Sequence, residues 1–312
     1  MTVLSKRRAL TRQGLLRRLQ NDWQIYVLLL PAVAFFIVFS YLPLYGIQIA
    51  FRNFKAVRGI TGSDWVGLKN FTDFFGAYYF GRLLSNTFLL NLYGLLWGMP
   101  IPILLAILLN QFEWPRFKRF TQTAIYVPHF ISTVVMAGML YLFLSPMNGI
   151  VNRGIEALGG KAINFMLMPE WFRPLFIASD AWQHAGWNTI LYIATLTGID
   201  PEIYEAATID GATKRQKILH IDIPHLIPIA TMMLILNCGS LMASNTDKAL
   251  LLFNSGNSSV ADIIGVYVYN MGLGKAQFSY TAAINLFVNL INFFMILSVN
   301  YVSRKLGETS LF

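Results

Sequence analysis

Asp180, His184 and Trp187 stand at i, i+4 and i+7, which sets a carboxylate, an imidazole and an indole on one helical face, with Asn188 next in the chain. Such a face can bind a sugar through hydrogen bonds and ring stacking. The same groups can equally act as hydrogen-bonding glue between helices. Asn285, Asn289 and Asn292 repeat the spacing later in the chain and are open to the same two readings, pore lining or helix pairing. Asn237, Ser240, Ser244, Asn245, Asp247 and Lys248 form a third polar set. Asp247 and Lys248 read as a local charge pair near an outer mouth, with attraction of an acidic sugar by Lys248 as the alternative. Trp182 falls off the Asp180 face and reads as packing, and His129, directly after Pro128, reads as structural. Asp180 and His184 have no further ligands at metal-binding spacing, so no metal site is expected. H-E-x-x-H, G-x-S-x-G and G-x-x-x-x-G-K-[ST] are all missing from the sequence, so no catalytic residue is assigned and ATP chemistry must lie elsewhere.

These polar groups need elements to carry them, and the composition says which kind. Of 312 residues, 55% are hydrophobic and 12% charged. A soluble domain usually carries about 25% charged residues. Mean hydropathy is +0.53. Disorder is excluded, and a single cysteine, Cys238, excludes a disulfide framework. Six stretches are long enough to cross a bilayer: Tyr26–Phe51, Leu83–Leu109, Thr121–Leu144, Pro174–Thr197, Leu226–Phe253 and Thr281–Val302. All three polar sets fall inside or at the ends of the last three. Polar groups there are costly and tend to face a pore or a neighbouring helix. The first stretch is too long for a signal-peptide core and is expected to stay as an anchor.

The formal charge of +9 would suggest nucleic acid on a soluble protein, but here it reports topology. Lys6, Arg7, Arg8, Arg12, Arg17 and Arg18 precede the first span, against the single acid Asp22. The positive-inside rule puts both termini in the cytoplasm. Residues 1–25 are then a basic cytoplasmic segment, with 1–22 lying along the membrane surface. Residues 26–302 form the membrane domain, 303–312 a cytoplasmic tail, and no nucleic-acid partner is expected. Segments 52–82, 145–173 and 254–280 fall outside and read as loops with short structure.

The inner loop 198–225 has helical character. Asp200-Pro201 signals a helix start, acids lead and bases follow, and Gly211 permits a left-handed residue between two short helices. Within it stand Glu205, Ala206 and Ala207, then Gly211, then Ile221-Asp222-Ile223-Pro224. This pattern resembles the EAA loop of permeases from binding-protein-dependent ABC importers, E-A-A-x3-G-x9-I-x-L-P, with Ile223 where leucine is usual. Trp65-Val66-Gly67-Leu68-Lys69-Asn70-Phe71, the Asp247–Asn254 run and the C-terminal Ser303–Phe312 are similar to the oligosaccharide and polysaccharide branch of the maltose-type importers.

The resemblance implies an all-α polytopic membrane protein of six transmembrane helices plus a cytoplasmic coupling helix, the type I ABC importer permease fold. It implies residence in the bacterial cytoplasmic membrane, among lipid. It also implies a second, non-identical permease, two ATPase subunits that bind ATP and Mg, and an external sugar-binding lipoprotein that delivers an oligosaccharide. Glu205, Ala206, Ala207, Asp210, Gly211, Lys214 and Arg215 would couple to the ATPase. The expected substrate pathway is Asp180, His184, Trp187, Asn188, Asn245, Lys248, Asn285 and Asn289. An ion-coupled carrier or an intramembrane enzyme are the alternatives, and neither has a use for the Glu205–Pro224 loop.

Overall fold

A computed structural model describes residues 23–243 and 245–305. The basic segment 1–22, Ser244 and the tail from 306 lie outside the described residues, and so does the expectation that 1–22 lies along the membrane. Helix α1 (Trp23–Phe36) runs on through a π turn and a 3-10 stretch to Phe51. A two-stranded antiparallel hairpin, β1 (Arg52–Lys55) and β2 (Gly59–Trp65), then pairs Arg52 with Trp65 and Asn53 with Asp64. The segment read as loop therefore contains a small sheet. Its stiffness comes from Arg52, which donates to the Thr61 and Ser63 carbonyls, and from Trp65 stacked on Phe51.

Helices α2 (Lys69–Phe75), α3 (Phe80–Gly98) and α4 (Pro100–Asn110) follow, the last two forming one span broken at Met99-Pro100. Proline removes one backbone donor there. Helices α5 (Pro115–Tyr126) and α6 (Thr133–Phe143) form the third span, but the chain bends by 98° between them. Pro128 sits in the intervening 3-10 turn, and Ser132 caps α6 by accepting from the Val135 N–H. A short α7 (Ile150–Ala157) precedes α8 (Pro169–Thr197), which at 29 residues is about 44 Å long. Helices α9 (Pro201–Ile209) and α10 (Lys214–Lys217) make the inner loop. Helices α11 (Ile223–Cys238), α12 (Thr246–Leu252), α13 (Ser258–Ala261), α14 (Ile264–Tyr269) and α15 (Phe278–Lys305) complete the order.

Among the described residues, four helical runs are long and apolar enough to cross a membrane: Trp23–Phe51, Phe80–Asn110, Lys214–Cys238 and Phe278–Lys305. The bent α5–α6 pair makes a fifth. The fourth expected span, α8, has the length but carries Glu170, Arg173, Asp180 and His184 and is not among these apolar runs. The fifth expected span, Leu226–Phe253, needs correction. Its helix starts earlier, at Lys214, and ends at Cys238, and turns at Gly239–Met242 separate it from α12. Gly239, Ser240, Ser244 and Asn245 stand in that gap, so the sequence carries a break signal there that apolar length alone passes over.

Three apolar clusters hold the bundle. Leu90, Phe172, Phe176, Ala249 and Val266 join α3, α8, α12 and α14. Phe74, Leu83, Met242, Ile284 and Val288 join α2, α3 and α15. Ala106, Ile107, Tyr192, Leu196, Ile221 and Leu226 join α4, α8 and the start of α11, beneath the inner loop. At the α5–α8 crossing, a Cβ on Gly186 would lie 1.9 Å from the Ile125 carbonyl oxygen, so only glycine lets the backbones meet there. Helix α8 is thus the central post, packed against α3, α4, α5, α11 and α13.

Candidate functional site: a docking loop and a polar cavity

Local sequence builds the loop. Asp200 accepts from the Glu202 N–H at 3.0 Å and Pro201 opens α9. The helix ends at Asp210, and Gly211 takes φ +77°, the left-handed conformation expected of it. Thr213 and Gln216 then form a reciprocal capping box that starts α10. Two short helices with a fixed turn result.

Their faces divide the motif. Tyr204 and Ala207 point inward and pack against the cluster under the loop. Glu205, Ala206, Asp210, Gly211, Lys214 and Arg215 are exposed, and Ile209 is 87% exposed at the tip. The two alanines therefore have different jobs, Ala207 as packing and Ala206 as free surface. Beneath them Asp222 is fully buried. Tyr204 Oη donates to Asp222 Oδ1 at 2.5 Å, and Gln111 Nε2 donates to Oδ2 at 3.1 Å. Burial, then the Asp222 carboxylate, pushes the Tyr204 hydroxyl well above its ordinary pKa, so it stays a donor at neutral pH. One carboxylate thus joins the inner loop, the end of α4 and the run into α11. Two exposed contacts add to it: Lys217 Nζ donates to Thr208 Oγ1 at 2.7 Å, and Lys214 Nζ meets Glu113 at 2.6 Å. The Lys214 hydrogen bond and charge hold the Glu113 carboxyl below its usual range. Sequence reading missed Tyr204, Asp222 and Gln111 as a set; the one signal was an acid placed between two isoleucines.

A cavity of about 260 Å³ opens between α3, α8 and the α11–α12 break. Its polar lining is Asn91, Asp180, Asn188, Asn237, Ser240 and Asn245. Asn245 also caps α12 by accepting from the Lys248 N–H. Asp180, Asn188 and Asn245 are brought together as expected. His184 and Trp187 are not in this lining. The His184 Nδ1 lies 3.5 Å from Asp180 Oδ1, and Trp187 stacks on His129 with ring centroids 4.4 Å apart. That contact gives His129 its structural part. Trp187 instead borders a neighbouring cavity with Asn188 and Asn237.

Lys248 does not pair with Asp247. Asp247 and Lys248 are consecutive in the first turn of α12, and consecutive helical residues point apart. Lys248 Nζ reaches α8 instead, 2.9 Å from the Phe176 carbonyl oxygen and 3.3 Å from Asp180 Oδ1, over the Phe176 ring, with its side chain 1% exposed. Asn285 and Asn289 are exposed on α15 and line neither cavity, while buried Asn292 accepts from the Met242 N–H and so ties helices.

These features define a class: a multi-pass helical membrane protein with a fixed two-helix loop tied to its spans and a polar cavity among them. The chain belongs to the binding-protein-dependent transport system inner membrane component family, whose model matches residues 74–308. The EAA loop is typical of that family, whose members are permease subunits rather than enzymes. It is 40% identical to the polygalacturonan/rhamnogalacturonan transport system permease protein YteP of Bacillus subtilis (strain 168), over 96% of this chain and 94% of that one. It is 28% identical to the arabinooligosaccharides transport system permease protein AraP of the same organism, over 90% and 88%. A crystal structure of a bacterial ABC transporter that imports the acidic polysaccharide alginate superposes with TM-score 0.87 at 34% identity, covering 93% of this chain and 98% of its own. A second structure of the alginate transporter, in complex with an alginate pentasaccharide-bound periplasmic protein, matches with the same TM-score and identity.

Proposed function

We propose that this chain is one half of the translocation pore of an ATP-driven importer of acidic oligosaccharides. It works beside a second, non-identical permease, two ATPase subunits that bind ATP and Mg, and an external sugar-binding lipoprotein. Both termini lie on the cytoplasmic side of a bacterial cytoplasmic membrane. The observation that carries the reading is the loop: an exposed surface of Glu205, Ala206 and Ile209, fixed to two spans through Tyr204, Asp222 and Gln111. A partner that grips that surface pulls directly on α4 and α11. Glu205, Ala206, Asp210, Gly211, Lys214 and Arg215 offer the contact; Ala207 holds the loop down. The sugar passes over the cavity, whose amide and hydroxyl groups hydrogen-bond sugar hydroxyls. The acidic class is supported by what the 40% identical relative and the alginate transporter are named for.

The test is uptake by proteoliposomes holding the complex purified from native membranes through a tag on this subunit. The reading predicts uptake of oligogalacturonates that requires ATP and the loaded binding protein. Uptake driven by an ion gradient with the ATPase removed overturns it in favour of a secondary carrier.

A further inference from the structure

The cavity wall contains one carboxylate, Asp180, whose side chain is 43% exposed. A bare carboxylate there repels an anionic sugar, because like charges repel and the repulsion is less screened in a cavity among apolar helices than in bulk water. The group that answers it is Lys248. Its ammonium comes from a different element, past the chain break, and is held by the Phe176 carbonyl oxygen, the Phe176 ring and Asp180 Oδ1. At 1% exposure, Lys248 cannot itself touch a sugar in the cavity. His184 is the other titratable group on Asp180; its Nδ1 also lies 3.2 Å from the Asp180 backbone carbonyl. No other charged side chain lines this cavity among the described residues.

We infer that Lys248 is a specificity-determining positioning residue: it cancels the charge of Asp180 so that the cavity admits acidic sugars, without itself contacting them. This rests on the acidic-oligosaccharide reading above. Selectivity of this kind works by removing a repulsion rather than by adding a contact.

Three variants separate the roles. Lys248→Met keeps the length and packing of the side chain and leaves Asp180 unpaired but facing the cavity, where water can solvate it. Asp180→Asn removes the charge while leaving Lys248 its bond to the Phe176 carbonyl. The double variant removes both charges. Each is purified as the whole complex and compared for co-purifying subunits, basal ATP hydrolysis, and uptake of oligogalacturonate and of arabino-oligosaccharide. Each is also made in a His184→Gln background, so that the imidazole 3.5 Å from Asp180 Oδ1 cannot take the place of the ammonium.

In Lys248→Met, oligogalacturonate uptake is expected to fall about tenfold or more. The double variant is expected to recover uptake to within about threefold of Asp180→Asn, because with the carboxylate gone there is no charge left for the ammonium to cancel. If Lys248→Met fails to assemble, Asp180→Asn still decides: a tenfold loss of oligogalacturonate uptake with assembly intact overturns the inference, because the carboxylate is then needed for itself. Unchanged oligogalacturonate uptake by assembled Lys248→Met overturns it too. A parent complex that imports arabino-oligosaccharide and not oligogalacturonate overturns the acidic reading, and the inference with it; the first two outcomes leave that reading standing.

Discussion

Asp222 is the residue on which the loop turns. A buried carboxylate is costly unless each oxygen finds a donor, and Tyr204 and Gln111 supply one each. Tyr204→Phe removes one donor and leaves Oδ1 unsatisfied. A hydrogen bond to a charged group is worth about 1.5–3 kcal/mol, so the purified subunit should lose about that much stability, read as a lower unfolding temperature. Glu113→Gln acts differently. Its folded carboxyl titrates below the ordinary value because of Lys214, so the pair's contribution is present above that ordinary value and fades as pH falls through the folded one. The pair is exposed, so raising the salt concentration at pH 7 should erase any difference between Glu113→Gln and the parent chain. A salt-independent difference would mean that Glu113 has another partner. The sequence marked Gly211, Glu205 and the alanines through their spacing. It could not mark Tyr204 or Gln111, because neither stands in the motif and only the fold brings them to Asp222.

At the scale of elements, α9 presents two faces, and substitutions on them should fail in different ways. Ala206 is exposed, so Ala206→Trp is expected to leave the subunit folded while reducing ATPase co-purification. Ala207 packs on the cluster of Ile107, Leu196 and Leu226, so Ala207→Trp is expected to destabilise the subunit itself, by about 1–3 kcal/mol for an overpacked site. Thermal unfolding and co-purification, measured on both, separate the two; equal loss of stability would refute the division of faces. The spans were legible from apolar length, since length is what a bilayer demands. The breaks were not. Pro128 and Ser132 stand at the 98° bend of α5–α6, and Gly239, Ser240, Ser244 and Asn245 in the gap before α12, but a span judged by length and mean hydropathy averages over such residues. The Asp247–Lys248 pair was misread for the same reason: a helix starting at Thr246 sends the two side chains apart, and that start falls inside a length read as one span.

For the whole molecule, α8 is common to the two working parts. Its N-terminal half carries Asp180 at the cavity, and its C-terminal half carries Tyr192 and Leu196 in the cluster under the α9–α10 loop. Gly186 sits between them at the tightest crossing. In the proposed importer, α8 and α11 are the two elements that connect α9 to the cavity, α11 ending at Asn237 and Cys238 on the cavity side. Linked rigid elements with two arrangements are how displacements travel. The central claim is that the Tyr204–Asp222–Gln111 link carries a force applied at α9. The most direct test is the number of ATP molecules hydrolysed per sugar imported by the reconstituted complex, comparing Asp222→Asn with the parent. The link predicts a complex that still assembles and hydrolyses ATP when loaded binding protein is present, yet uses about tenfold more ATP for each sugar delivered. An unchanged ratio in an assembled Asp222→Asn complex would contradict it.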